Sequence, residues 1–171
     1  MLLWDKQLRP WIPVIAKLDQ AQRFTLAMAC IDDVREVFDC AVRPLASPEA
    51  KRFFASAFAL LSDIGMSSQL PRAASQLLVA EASWMDSAPP GVWDMGMALL
   101  CLMKRGGGYL SADDVTEILS ASYQVLLQVE VLSKLDEEVT ESEVARLEEG
   151  NEACVACITA QLRHITGAKT E

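Results

Sequence analysis

Histidine is almost missing from this chain: His164 is the only one in 171 residues. Several chemistries are excluded by that scarcity. A structural zinc site needs four ligands, and the one close cysteine pair, Cys154-Val-Ala-Cys157, has neither a second CxxC nor two histidines to complete it. A di-iron bundle needs two Glu-x-x-His sets, which one histidine cannot supply. The GxSxG turn of a serine nucleophile is absent, and Gly65-Met-Ser-Ser68 reads as a helix stop followed by a cap. Gly106-Gly-Gly108 lacks the lysine and the serine or threonine of a phosphate loop and follows a helical pattern, so it reads as a turn. Neither a metal, nor a cofactor, nor a catalytic centre is expected. His164 itself falls near the end of the last helical pattern, where a charged ring favours the helix dipole.

Long apolar runs are lacking too. Met95 to Met103, the most apolar stretch, is far shorter than the ~20 residues that span a bilayer. The opening MLLWDKQLRPWIP sets Asp5, Lys6, Arg9 and two prolines where a secretory signal needs an unbroken apolar segment, so no export is expected. Five cysteines (Cys30, Cys40, Cys101, Cys154, Cys157), an odd number without an export signal, fit reduced thiols in the cytoplasm. No strand pattern precedes Cys154, so the pair reads as two small buried hydrophobes and not as a redox motif.

What is present is helix. Alternation of strand type is absent, while apolar residues recur at helical spacing between glycine and proline stops. Pro10 and Pro13 limit the first segment to a short turn of helix whose Trp4, Trp11, Val14 and Ile15 cover one end of the core. Asp19 caps a long helix from Gln20 to about Val42, with Phe24, Ala27, Met28, Ile31, Val34, Phe38 and Ala41 inward. Ser47-Pro48-Glu49 opens the next helix, to Asp63. Pro71 opens a fourth carrying Ala74, Leu77, Leu78, Glu81 and Trp84, and a fifth covers Val92 to Arg105. Ser111 with Asp114 starts the central helix, and Thr140 with Glu143 starts the last, which places Val144, Leu147, Val155, Ile158, Leu162 and Ile165 inward, with Gly150-Asn151 as a kink or split. With 51% hydrophobic residues, no repeat and no linker, residues 1–171 are expected to form one all-α domain, a bundle of six or seven helices.

Charge is present, and it is uneven. Between Glu130 and Glu152 nine acids face only Lys134 and Arg146, a net −7 of the chain's formal −9. A pI near 4.6 disfavours nucleic acid and anionic membrane and draws basic proteins. Asp136, Glu137, Glu138, Glu141, Glu148, Glu149 and Glu152 are therefore the candidate partner-binding residues. Trp84 and Trp93, which flank the rigid Ala88-Pro-Pro-Gly91 connection, join them because tryptophan is enriched at binding hot spots; either can equally serve as core. Glu137-Glu138-Val-Thr-Glu141 and Glu148-Glu149-Gly-Asn-Glu152 also fit an EExxE pattern, which could hold magnesium, although no second helix with an ExxD set follows them. Asp32, Asp33, Glu36 and Asp39 form a second acidic patch, in which Asp32 with Arg35, Arg35 with Asp39 and Asp39 with Arg43 have the spacing of helix ion pairs.

Two segments resemble a known family. Leu26-Ala-Met-Ala-Cys-Ile-Asp-Asp-Val-Arg-Glu-Val-Phe-Asp39 and Ser47-Pro-Glu-Ala-Lys-Arg-Phe-Phe-Ala-Ser-Ala-Phe-Ala59 are similar to the opening helices of small helical immunity proteins of bacterial polymorphic-toxin, contact-dependent and type VI secretion systems. That resemblance, over roughly the first 65 residues, implies a non-enzymatic cytoplasmic protein that binds a cognate toxin and occludes its active site. The acidic cluster suits a toxin with a basic surface. Two other readings stand beside it: an all-helical magnesium-dependent nucleotide hydrolase or small-molecule sensor, with Gln124 and Gln128 facing a pocket, and a subunit of a homodimer or larger assembly.

Overall fold

Side-chain caps fix where the long helices begin. Asp19 accepts the Gln22 N–H (2.9 Å) while the Gln22 side chain accepts the Asp19 N–H (2.9 Å). Ser111 and Asp114 exchange bonds in the same way, at 3.1 and 2.9 Å. Thr140 and Glu143 repeat the arrangement, so all three expected starts use the reciprocal capping box.

The computed structural model describes residues 2–64, 71–80, 82–104, 110–135 and 139–168. Among them the chain is helical and contains no strand. In order, the helices of six residues or more are α1 (Leu3–Leu8), α2 (Gln20–Val37), α3 (Pro48–Ile64), α4 (Arg72–Ala80), α5 (Val92–Lys104), α6 (Ala112–Glu130), α7 (Glu141–Gly150) and α8 (Glu152–Ala168). The expected six or seven helices are thus eight. The excess arises at Asn151, whose extended backbone divides α7 from α8 and whose side chain accepts the Cys154 N–H at 3.0 Å. The expected turns at Gly65–Ser68 and Gly106–Gly108 lie outside the described residues, as does Glu81.

Two further boundaries differ from the helical pattern. After Val37 the chain widens into a π-turn over Phe38–Val42. That turn buries Val42 and leaves Ala41 exposed, the reverse of the expected inward Ala41. The fourth helix stops at Ala80, and Trp84 belongs to a 3₁₀ segment, Ala82–Ser87. Leu77 is accordingly 66% exposed, because α4 turns Ser75 and Leu78 inward in its place.

Central helix α6 is flanked by α2, α5 and α8, and α1 packs across α7 and α8. Its Tyr123, Val125 and Leu127 are buried along with Val115, Ile118 and Leu119, so almost no face is left to solvent. A second centre is aromatic: Phe38 meets Phe54 edge-on at 4.7 Å, and Trp84 lies 5.2 and 5.3 Å from Phe53 and Phe54. Gly96 on α5 makes room for Met85 and this cluster, since a Cβ there would meet the Met85 sulfur and stand 2.7 Å from the far edge of the Trp84 ring. Trp84 cannot retreat without disturbing two phenylalanines. Gly96→Ala should therefore lower stability by about 1–3 kcal/mol in a urea titration; an unchanged midpoint would show that the ring has room to move.

Candidate functional site

Glu148 is fully buried, so it is no part of an acidic surface. The expected inner face of the last helices is rotated: Val144 and Glu148 on α7, and Cys154, Cys157, Ile158, Gln161 and Ile165 on α8, point inward. Leu147 (37% exposed) and Val155 (42% exposed) point outward instead. A buried carboxylate is tolerated because both its oxygens are used. One accepts the Leu3 N–H at 2.9 Å, at the otherwise unsatisfied first turn of α1, and the other accepts the Tyr123 hydroxyl at 2.9 Å. Gln161 does the matching work one level along, accepting the Trp4 indole N–H (3.1 Å) and donating to the Leu119 carbonyl (2.9 Å). The two polar side chains latch α1 onto α6, α7 and α8.

Burial also sets the state of the groups around them. Tyr123 is held protonated by desolvation, with Cys154 and Glu148 adding to the shift. The Cys157 thiol is pushed up to about 12, first by burial and then by the nearby Asp33 and Cys154. Cys154 is raised chiefly by burial as well. Buried thiols in this state are poor nucleophiles at neutral pH. They pack as small apolar groups.

The latch gives a fixed base to the carboxylates that remain outside. Glu149, next in sequence to Glu148, is exposed and pairs with Lys6 on α1 at 2.8 Å, an ion pair half open to water on both sides. Beside it lies a pocket of about 390 Å³ between α1 and α8, with Leu3, Ile158 and Leu162 among its apolar lining and Val155 and Thr159 on the α8 side. Glu152 is exposed and stands three residues before Val155, so it shares that helix face at the head of the stripe Glu152, Val155, Thr159, Leu162. Glu141 is exposed at the start of α7, and Glu143 beside it closes the Thr140 cap. Asp136, Glu137 and Glu138 lie outside the described residues.

The two tryptophans part company. Trp84 is core, whereas Trp93, 42% exposed, stands at the start of α5. That helix packs on α2, α4 and α6, while the exposed carboxylates ride on α7 and α8. Gly91, with φ +76°, makes the turn into α5 and donates its N–H to Asp94 at 2.9 Å.

The second EExxE set does not converge, because Glu148 is inside while Glu149 and Glu152 lie on either side of the Asn151 break. The first set includes Glu137 and Glu138, outside the described residues. Among the described residues no group of three or more histidine, cysteine, aspartate or glutamate side chains could hold a metal ion. No helix among them is long and apolar enough to cross a membrane. On α2, Asp39 takes Arg43 at 3.0 Å and Arg35 at 3.8 Å, but the expected Asp32–Arg35 pair does not form. His164 bonds Asp33 on α2 through Nε2 at 2.9 Å, a tie between helices and not only a helix-end charge.

No family model matches the chain, and neither does a curated protein or a solved structure. The reading of function therefore rests on the geometry above.

Sequence reasoning missed Leu3, Lys6, Tyr123 and Gln161. Leu3, Lys6 and the Trp4 contact of Gln161 depend on α1 folding back across most of the chain, as in the 145-residue separation of Leu3 from Glu148, while Tyr123 reaches Glu148 from another helix, 25 residues away. No local signal carries that contact.

The corner is also pH-sensitive in a definite direction. The Thr140 hydroxyl and N–H hold the Glu143 carboxyl below its ordinary value of 4.5, and the Lys6 ammonium lowers Glu149 from the same value. Both contribute stability that is fully present above 4.5 and is lost as pH falls through their lowered folded values. Protection factors against amide exchange at the start of α7 should thus fall in that acid window before those in α6 do. A uniform fall along both helices would contradict it.

Proposed function

We propose that this protein is a non-enzymatic binding protein, an immunity protein that neutralises a cognate bacterial toxin in the cytoplasm by covering its active site. The observation that carries the reading is the α1–α8 surface. Exposed carboxylates Glu149 and Glu152 stand beside a shallow pocket of mixed lining, in which Leu3, Val155, Ile158 and Leu162 are the apolar members and Lys6 pairs with Glu149, on helices pinned from beneath by Glu148 and Gln161. Apolar contact with a polar, charged rim is the anatomy of a protein interface, and rigid presentation reduces the ordering cost of binding. A partner with a basic face, such as an enzyme acting on nucleic acid or nucleotides, is the electrostatic complement. The resemblance of residues 26–39 and 47–59 to helical immunity proteins points the same way.

Co-expression with the product of the adjacent reading frame tests this. A stable complex in which that product's toxic activity is suppressed is the expected result. A neighbouring product that neither co-purifies nor is inhibited would remove the reading.

A further inference from the structure

The outer side of α2 and α3 carries a second pocket, remote in sequence from the acidic corner. Its volume is about 360 Å³, within the range of small-molecule sites. Phe24, Met28, Phe58 and Leu61 give it an apolar lining, and Asp32 and Arg35 supply its charge. These two are one helical turn apart and opposite in sign, yet they form no ion pair with each other.

Arg35 is held elsewhere. Its guanidinium lies 4.3 Å from the centre of the Phe58 ring, and its Nε stands 3.8 Å from Asp39, too far for a hydrogen bond. The planar group is thereby oriented while its donors stay unused. Asp32 is exposed and has no ion pair or hydrogen bond among the described residues. An apolar chamber thus offers one free carboxylate and one pre-oriented guanidinium that do not neutralise each other.

We propose that this pocket binds a small zwitterion with an apolar body, the chemistry of a free amino acid with a large apolar side chain. The ligand's ammonium faces Asp32, its carboxylate meets the Arg35 guanidinium, and its side chain enters between Met28 and Phe58. A ligand lacking the ammonium leaves Asp32 without a complement, and one lacking the carboxylate forgoes hydrogen bonds to a guanidinium whose contact with Asp39 is only 3.8 Å. A ligand lacking the body forgoes the apolar burial. The site is separate from the α1–α8 surface and stands whether or not that surface docks a toxin.

Calorimetric titration of the full-length protein with phenylalanine, leucine and methionine tests the assignment. Phenethylamine, 3-phenylpropionate and glycine serve as the probes that lack the carboxylate, the ammonium and the body. At least one of the three apolar amino acids should bind at micromolar to millimolar concentration, and each reduced probe should bind about tenfold more weakly or not at all. Asp32→Asn should weaken the amino acid by about tenfold while leaving the thermal midpoint unchanged, since Asp32 has no partner among the described residues. Arg35→Gln should weaken the amino acid by about tenfold as well, with some loss of thermal midpoint because the guanidinium also packs on Phe58, and the Met28 methyl signal in NMR should move on addition of ligand to the wild type. Absence of binding by all three amino acids would overturn the proposal. So would equal binding of phenethylamine and phenylalanine, or an affinity indifferent to Asp32→Asn.

Discussion

Glu148→Ala should destabilise the protein by about 3–5 kcal/mol, read as a fall in the urea midpoint at constant slope. The substitution leaves two buried donors, the Leu3 N–H and the Tyr123 hydroxyl, without an acceptor. Each orphaned donor costs about 1–3 kcal/mol, and the emptied side-chain volume adds to it. Tyr123→Phe removes only one of the two bonds and should cost about 1–3 kcal/mol. Because the two residues share that bond, the double substitution should fall short of the sum of the singles. Glu149→Ala, one position along, is the internal control: its side chain is exposed and its pair with Lys6 is open to water, so it should move the midpoint only slightly. Indistinguishable midpoints for Glu148→Ala and Glu149→Ala would mean that the carboxylate is not the latch.

The contrast between those neighbours marks where the sequence stops being legible. Helix starts at Asp19, Ser111 and Thr140 were readable because a capping box is local, with donor and acceptor three residues apart. The all-helical class was readable for a related reason, since periodicity is a property of short windows. The phase of α7 was not. Val144 and Leu147 are three apart and Val144 and Glu148 four apart, so both pairs lie on one side of a helix, and hydrophobicity alone selects the leucine. Glu148 wins because Leu3 and Tyr123, remote in sequence, bring it two donors, which no window around residue 148 contains. Gln161 takes the fully buried position by the same logic, through Trp4 and Leu119, and leaves Leu162 half-buried against the core. An acidic run read as a surface is thus part surface and part core, and the division is decided by where α1 docks. Asp32 and Arg35 show the converse. Their spacing is that of an ion pair, but Phe58 on the neighbouring helix offers the guanidinium a ring face and takes it away.

If the protein docks the proposed toxin on the α1–α8 surface, reversing two exposed charges should slow that capture far more than it weakens the fold. Glu149→Lys with Glu152→Lys changes the local charge by four, and steering by opposite charge raises association rates by about 10 to 1,000-fold at low salt. The doubly reversed protein should therefore associate about 10 to 100 times more slowly at low ionic strength. That difference should shrink as salt rises, because a Debye length of about 8 Å at physiological ionic strength screens exposed charges from a distant partner. Dissociation should respond to a different residue. Val155→Asp places a carboxylate among the apolar side chains that line the α1–α8 pocket, so its effect should appear in the off-rate and persist at high salt. Splitting the two rates this way separates charge that attracts from surface that holds. If charge reversal leaves the association rate and its salt dependence untouched while Val155→Asp leaves the off-rate untouched, the toxin docks on another face. The exposed carboxylates of α2, Asp32 and Glu36, become the next to reverse.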